Sequence, residues 1–181
     1  MRTIFGKTCL AVALTAIVGV TPAVSNDGGV PDESDAPNVS LVISNCLATR
    51  SDFISNDTTG LTTSSVAYVA VPGMTKVINQ AQTGCVIVTL SSYAFAADSG
   101  GPNQLQFVRV VLDGQRLCSP IEWQWDGDDD VDGDSSWART HGAVCAFSNV
   151  AAGNHTIQMQ HRSNAGGSVF LHRPSMHIEH R

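Results

Sequence analysis

Residues 155–162, HTIQMQHR, carry the cleanest alternation of apolar and polar side chains in the chain. Ile157 and Met159 fall on one side of the alternation, and Gln158 and Gln160 fall on the other. Successive side chains of a β-strand point to opposite faces, so this pattern predicts a strand with one face in a core and the other in water.

Turn signals separate this strand from further predicted strands. The segment AAGN precedes it at residues 151–154, and NAGG follows it at residues 164–167. Asp113-Gly114 is a two-residue dipeptide that favours a hairpin turn. The apolar and β-branched segments between such signals predict strands at residues 66–71, 76–80, 85–96, 105–112, 116–118, 143–147, 169–171 and 176–178.

Two prolines mark predicted interruptions in this series. Pro72-Gly73 is a turn signal that ends a valine-rich strand, and Pro174 lies between the last two strands at an edge or bend. Residues 39–46, VSLVISNC, predict the first strand. The polar residues 50–65 predict a loop with little regular structure.

The strand pattern as a whole decides the fold class. No segment shows a sustained helical period, and the pattern predicts seven or eight strands separated by Gly, Asn and Pro turns. The sequence therefore predicts an all-β protein, a single antiparallel β-sandwich of jelly-roll type.

The N-terminal region predicts export. Arg2 and Lys7 precede an apolar stretch, and small residues follow it, so residues 1–25 are typical of a signal peptide cleaved after Ser25. Residues 26–38 are rich in Asp, Gly and Pro and predict a flexible acidic leader, which leaves residues 39–181 for the β-sandwich domain. No later stretch is long and apolar enough to span a bilayer, so we expect a secreted, periplasmic or cell-surface protein.

The charge of the chain restricts its partners. The formal net charge is −6, and removal of residues 1–25, which hold two basic and no acidic residues, makes it −8. An acidic surface argues against binding to nucleic acids and to anionic membranes.

Four cysteines remain after the predicted cleavage: Cys46, Cys85, Cys118 and Cys145. An even number in an exported chain favours two disulfides, for which three pairings exist. We favour Cys118 with Cys145, which would close the acidic segment between them, and hence Cys46 with Cys85; free buried thiols are the alternative. No pair has the CxxC spacing of a zinc or redox site.

Residues 68–181 resemble a recurrent kind of exported bacterial β-sandwich. The resemblance lies in the turns and core strands VPG (71–73), VIVTL (86–90), VVLDG (110–114) and AGNHTIQMQ (152–160). This arrangement is similar to the jelly-roll modules of surface, tail-fibre and tumour-necrosis-factor-like proteins. The resemblance implies the fold and a role in binding, adhesion or assembly, and it carries no catalytic residue to this chain.

An acidic run at residues 126–134 holds six aspartates in nine residues. Alternate aspartates followed by Gly133 match the first half of an EF-hand calcium loop, whereas the twelfth position holds Arg139 in place of the bidentate glutamate. The alternative is a solvated loop that keeps the protein soluble. The calcium hypothesis assigns the metal to Asp128, Asp130, Asp132 and Asp134.

Three tryptophans bracket the acidic run: Trp123, Trp125 and Trp137. Trp123 and Trp125 are two residues apart, so on a strand they face the same side. If they are exposed, their rings can stack on sugars; if they are buried, they fill the core. The sugar-binding hypothesis assigns all three as ligand-binding residues.

Other motifs give weaker indications. Residues 97–102, ADSGGP, look like the nucleophile segment of chymotrypsin-like proteases, but no histidine precedes Ser99, so we interpret them as a turn. His155 follows a turn and is expected to form local hydrogen bonds. His177 and His180 should face opposite sides of a strand, which is poor spacing for one metal ion.

These features favour a non-catalytic, exported binding or adhesion module, calcium-dependent under the metal hypothesis, with a glycan or a surface protein as its ligand. One alternative is a structural subunit of a cell-surface or particle assembly, in which strand edges pair between copies of a homo-oligomer. A second alternative is a carbohydrate-active hydrolase, which requires a pair of carboxylates that the spacing does not identify.

Overall fold

The computed structural model describes residues 46–96, 104–128, 139–164 and 166–181, all of which belong to the compact unit Val39–Arg181. The described residues form ten strands: β1 (Arg50–Ser55), β2 (Leu61–Thr63), β3 (Val69–Gln80), β4 (Gly84–Ala96), β5 (Gln104–Leu112), β6 (Arg116–Leu117), β7 (Trp123–Asp128), β8 (Arg139–Val150), β9 (Gly153–Ser163) and β10 (Val169–His180). Within the described part of the chain, no helix is long and apolar enough to cross a membrane.

The strands form two antiparallel sheets. The first sheet has the order β1-β10-β4-β8, and β2 also pairs with β10. The second sheet has the order β3-β9-β5-β6, and β7 also pairs with β5. The chain crosses from one sheet to the other between β3 and β4 and between β4 and β5. It crosses again between β8 and β9 and between β9 and β10. This alternation is the connectivity of a jelly roll, so the predicted fold class is confirmed.

The described residues form ten strands, whereas the sequence predicts seven or eight. Eight strands have at least six residues, and the other two are β2, with three residues, and β6, with two. The sequence did not predict β2, because a strand needs about four residues to show alternation, whereas β6 lies in the predicted strand at residues 116–118.

The prediction of a loop at residues 50–65 is wrong, because this polar segment holds β1 and β2. β1 pairs with β10 from Arg50↔His180 to Ser55↔Ser175 and forms an edge of the first sheet. An edge strand is open to water, so polar side chains are compatible with its position. The backbone pairing, rather than the apolar content, makes this segment a strand.

The two predicted proline interruptions lie inside strands. β3 continues through Pro72-Gly73 with a register shift between Ala70 and Thr75, and β10 continues through Pro174 with a shift between His172 and Ser175. Proline lacks the backbone N–H of the ladder and is accommodated at such irregularities. Gly73 has a φ of 72°, and a Cβ there would lie 2.9 Å from Nδ2 of Asn56, so glycine is required.

The core lies between the two sheets and follows the period of two in each long strand. β4 alternates buried and less buried residues along most of its length, and β9 buries Ile157 and Met159, as the sequence predicts. Burial of each such side chain contributes about 1.5–3 kcal/mol. The largest fully buried apolar side chains are Phe147, Met74, Ile78, Leu90, Ile157, Met159, Leu171, Met176 and Ile178.

Both predicted disulfides are present. Cys46 pairs with Cys85 at a Cα–Cα distance of 5.4 Å, and Cys118 pairs with Cys145 at 5.7 Å. The second bond joins the segment after β6 to β8 and so links the two sheets at one side. Ser119 and Ala146 exchange two backbone hydrogen bonds of 3.0 Å beside it.

Candidate ligand-binding site

The structure does not reach the predicted calcium ligands. Asp128 is the last residue of β7, but its side chain and all of Asp130, Asp132 and Asp134 lie outside the described residues, as does Trp137. The described residues contain no group of three or more His, Cys, Asp or Glu that could hold a metal ion. The calcium site therefore stays a prediction.

The two tryptophans of β7 have different environments. Trp125 lies in the hydrophobic core with 2 % of its surface exposed, and Trp123 is half-buried against that core. The ring of Trp125 stacks on His141, with 6.0 Å between the ring centroids and 13° between the planes. Of the two alternatives for Trp125, core packing is the one in the structure, and its ring face is not available to a surface ligand.

The histidine expectations agree with the structure. His155 contacts the carbonyl of Ala151 through Nε2 at 3.0 Å, which is the local hydrogen bond expected, and Asp113 Oδ2 in the distant turn after β5 through Nδ1 at 2.7 Å, which the sequence did not predict. His180 is buried, whereas His177 lies on the opposite, partly exposed face of β10. The two side chains cannot bind the same metal ion.

A depression of about 390 Å³ lies on the outer face of the first sheet. Volumes of this size are typical of sites for small ligands. Three strands, β4, β8 and β10, and the loop between β1 and β2 contribute to it. Its lining residues are Thr59, Ser91, Ser92, Tyr93, Thr140, His172 and Arg173.

Strand pairing places the aromatic residues of the depression. Tyr93 on β4 lies opposite His172 on β10 and opposite Thr140 on β8. Tyr93 is 43 % exposed, and its ring meets that of His172 edge to face, with centroids 5.9 Å apart. One ring of the depression therefore faces solvent and is oriented by a neighbouring ring.

The aromatic surface continues beyond the depression along the same two strands. Phe95 stacks on Phe170 with centroids 4.5 Å apart and planes 4° apart, and it also contacts His172 at 5.2 Å. We call Tyr93, Phe95, Phe170 and His172 the aromatic row. Stacked rings fix one another by close packing, so the row presents a rigid apolar surface.

A bulge in β10 shapes the depression. Arg173 and Pro174 lie between the pairs His172↔Tyr93 and Ser175↔Ser91, so two residues of β10 face the single residue Ser92. Arg173 has a φ of 47°, a left-handed conformation that is uncommon outside glycine and asparagine. Bulges and such backbone conformations are frequent beside functional sites, where they redirect side chains.

Hydrogen bonds hold the loop that borders the depression. The backbone N–H of Arg173 donates to the carbonyl of Thr58 at 3.2 Å, and that of Asn56 donates to Pro174 O at 2.9 Å. The side chain of Asn56 accepts from the N–H of Thr58 at 2.9 Å and donates to the carbonyl of Pro72 at 2.8 Å. Thr59 is thereby carried on a loop tied to both sheets.

Backbone carbonyl groups occupy the Ser92 hydroxyl at the depression. The Ser92 hydroxyl donates to the backbone carbonyl of His172 at 3.0 Å and not to its ring, whereas an activated serine needs a base within hydrogen-bond reach. Nε2 of His172 is buried and has no hydrogen-bond partner among the described residues.

Sequence reasoning did not identify this depression. Its residues are common types, Ser, Thr, Tyr and His, and they come from positions that are as much as 114 apart, from Thr59 to Arg173. One signal was present in the sequence: Tyr93 and Phe95 alternate at the end of residues 85–96, which places two aromatic rings on one face of a strand.

No known protein family matches the chain, and no curated protein matches it. Several solved structures are similar at the level of the fold. Dimeric latent PorU from Porphyromonas gingivalis is 11 % identical with a TM-score of 0.47, over 77 % of this chain and 14 % of that chain. This chain thus spans a small part of that protein.

Two smaller structures are also similar. The tripod BppUct-A-L from the baseplate of bacteriophage Tuc2009 is 11 % identical with a TM-score of 0.35, over 98 % of this chain and 82 % of that chain. The C-terminal CBM6 of LamC, a laminarinase from Zobellia galactanivorans, is 15 % identical with a TM-score of 0.30, over 72 % of this chain and 99 % of that chain. At such identities and scores, the likeness concerns the β-sandwich and nothing finer.

Proposed function

We propose that the protein is a non-catalytic glycan-binding module and that the depression beside Tyr93 is its sugar site. The observation that carries the proposal is the exposed ring of Tyr93 at a depression that is lined by hydroxyl groups. A sugar ring has an apolar C–H face that packs on an aromatic ring, and hydroxyls at its rim that need hydrogen-bond partners. The site offers both.

The hydrogen-bonding groups of the depression suit a neutral sugar. Five of the seven lining residues carry hydroxyl groups, namely Thr59, Ser91, Ser92, Tyr93 and Thr140. A hydroxyl can donate and accept, so these groups can match sugar hydroxyls in either role. The lining has one permanently charged side chain, Arg173, and no carboxylate.

The same residues support a binding role rather than hydrolysis. Glycoside hydrolysis uses a pair of carboxyl groups on either side of the bond that is cleaved, and the lining of the depression has none. The aromatic row, in which Tyr93 is exposed and the other three rings are partly buried, extends the surface along β4 and β10, which suits a chain of sugars better than a single enclosed one.

Export of the protein is part of the proposal. The two disulfides support it, because such bonds persist in oxidising compartments outside the cytoplasm. The signal peptide at residues 1–25 stays a prediction from the sequence. A secreted, periplasmic or cell-surface location would bring the module into contact with polysaccharides.

Calcium binding by Asp128, Asp130, Asp132 and Asp134 stays a separate proposal. It is supported by the alternate aspartates and Gly133 in the sequence. Trp123 and Trp137 bracket this segment, so a second contribution to ligand binding from them also stays proposed.

Affinity electrophoresis of residues 26–181 in gels that contain β-glucan, xylan or mannan tests the sugar site. We expect at least one polysaccharide to retard the protein, and Tyr93→Ala to weaken that retardation about tenfold, because an aromatic contact contributes about 0.5–1.5 kcal/mol beyond the area it buries.

Phe53→Ala is the matched control. Phe53 is 61 % exposed and lies on the same sheet, opposite His177 rather than at the depression. It should leave retardation unchanged. Equal retardation of the wild type and Tyr93→Ala, with unchanged melting of both, would contradict the site, and absence of retardation by every polysaccharide would contradict the function.

A further inference from the structure

A second group of polar and aromatic side chains lies on the outer face of the second sheet. It consists of Tyr68, Phe107, Arg109, Glu122 and Arg162, and we call it the arginine cluster. The guanidinium carbon of Arg109 lies 3.7 Å from the centroid of the Tyr68 ring, and that of Arg162 lies 5.2 Å from it. Arg162 also lies over Phe107 at 4.1 Å.

The strand register puts both arginines on this face. Arg109 alternates with the buried Val108 and Val110 on β5, and Arg162 alternates with the buried His161 and Ser163 on β9. Because β5 and β9 are hydrogen-bonded neighbours, the two guanidinium groups meet over the same ring. The depression, by contrast, is on the other sheet.

The arginine cluster has two cations and one carboxylate. Oε1 of Glu122 lies 3.7 Å from Nη2 of Arg162, and Oε2 accepts a hydrogen bond from the Tyr68 hydroxyl. Burial, followed by that hydrogen bond, raises the pKa of Tyr68 to about 12, so the hydroxyl stays a donor. The cluster thus has a surplus positive charge in a chain of net charge −6.

The guanidinium groups keep most of their donors available. Each has five N–H groups. Within the described residues, Nε of Arg109 donates to Oε1 of Gln160 at 2.8 Å, and Arg162 is hydrogen-bonded to Tyr68 and paired with Glu122. The rings of Tyr68 and Phe107 lie close to both groups and restrict their movement. An arginine held in this way is pre-organised for a planar carboxylate.

A row of neutral polar side chains continues from Arg109 across the sheet. Gln160 Nε2 donates to Gln158 Oε1 at 2.8 Å, and Gln158 Nε2 donates to Thr75 Oγ1 at 3.4 Å. We call Gln158, Gln160 and Thr75 the amide row. Their mutual hydrogen bonds orient the amides, and each NH₂ group has a second N–H to offer.

We propose that the arginine cluster and the amide row bind an acidic glycan. A uronic acid carboxylate would pair with Arg109 and Arg162 and supply the missing negative charge, and the hydroxyls of the adjoining sugars would bond to the amide row. An acidic peptide fits less well, because its further carboxylates would meet the uncharged amide row. This site does not depend on the neutral-sugar site of the other sheet.

Isothermal titration calorimetry with tetragalacturonate tests the proposal. We expect the wild type to bind it, and Arg109→Gln/Arg162→Gln to bind about tenfold or more weakly, because hydrogen bonds to charged groups contribute about 1.5–3 kcal/mol. Affinity should fall between 50 and 200 mM salt, as it does for exposed charges. Arg162→Lys, which keeps the charge and loses the planar fork, should bind more weakly than the wild type and more tightly than the double variant.

Arg50→Gln/Arg116→Gln is the matched control, because it removes the same charge at residues outside the arginine cluster. This control and Tyr93→Ala should both bind tetragalacturonate as the wild type does.

Unchanged binding by the Arg109/Arg162 double variant would overturn the site. Binding of a tetraglutamate peptide or of uncharged cellotetraose with equal affinity would overturn the ligand class. If β-glucan, xylan and mannan all fail to retard the protein while tetragalacturonate binds, the neutral-sugar proposal is overturned and the acidic-glycan proposal is not.

Discussion

Asp52 on β1 joins Lys76 on β3 across the side of the sandwich, with 2.9 Å between Oδ1 and Nζ. Its other oxygen, Oδ2, lies 3.0 Å from Nε2 of His180, whose ring is buried. One carboxylate thus connects an edge of the first sheet to an edge of the second. The disulfide Cys118–Cys145 links the sheets at the opposite side, beside β8.

Asp52→Ala should lower the free energy of unfolding by about 1–3 kcal/mol, because it leaves a buried imidazole nitrogen without a partner. Lys76→Met removes only the partly exposed ion pair and should lower it by about 0–1 kcal/mol. Urea unfolding at pH 7 measures both. Equal losses in the two variants would show that the ion pair, rather than the buried ring, accounts for the contribution of Asp52.

The Asp52 contribution should depend on pH. The hydrogen bond from Lys76 is the largest cause that lowers the pKa of Asp52 below 3.8, against a smaller opposing effect of burial. A lowered folded-state pKa stabilises the fold above the unfolded-state pKa, and this stabilisation is lost as the pH falls through the folded-state pKa. The difference in stability between the wild type and Asp52→Ala should therefore shrink below about pH 4.

His161 should destabilise the protein in mild acid. Burial lowers the pKa of His161 from 6.5 to about 4, so the unfolded chain takes up a proton between these pH values and the folded protein does not. Stability should fall as the pH drops from 6.5 towards 4, by up to about 1.4 kcal/mol per pH unit. His161→Leu should flatten this part of the urea-unfolding profile, and profiles that stay parallel from pH 7 to 4.5 would contradict the assignment.

Gln106→Met should stabilise the protein. Gln106 is fully buried, and within the part of the chain that the structure describes neither its amide nitrogen nor its amide oxygen has a hydrogen-bond partner. An apolar side chain of similar length removes that penalty, which is about 1–3 kcal/mol for an unsatisfied group. Thermal melting measures the change. A lower midpoint for Gln106→Met would contradict the prediction that the buried amide is destabilising.

Gln80→Met provides the comparison for that experiment. Gln80 is equally buried, but its oxygen accepts from the N–H of Arg181 at 3.0 Å and its nitrogen donates to the carbonyl of Cys85 at 3.5 Å. Its replacement should destabilise the protein by about 1 kcal/mol or more, since it leaves buried backbone groups unpaired. Opposite signs at the two glutamines would show that hydrogen bonding, rather than burial, decides the outcome.

Calcium should raise the melting midpoint of residues 26–181 if the aspartates bind it. A ligand that binds only the folded state stabilises it by about 2.7 kcal/mol at a hundred times its dissociation constant. The expected rise is seen in excess calcium relative to chelator and disappears in Asp130→Ala/Asp132→Ala. Identical midpoints in calcium and chelator would favour the solvated-loop alternative.

The sequence determines the features that depend on near neighbours. The alternation in residues 155–162 became β9, the dipeptide Asp113-Gly114 became a turn in which both residues have positive φ, and the four cysteines form the favoured pairs. The strand follows from a side-chain period of two, the turn from a local backbone preference, and the disulfides from the small number of possible cysteine pairs.

The tertiary structure decided what depends on pairing between distant segments. Polar residues 50–55 became a strand because β10 offered a free edge, and Pro72 and Pro174 became bulges because pairing on both sides continued past them. Tyr93 meets His172, and Arg109 meets Arg162, only through a strand register set over the whole sheet. Side-chain period fixes which face a residue occupies, but register and bulges decide its neighbours, so both candidate sites are properties of the assembled sandwich.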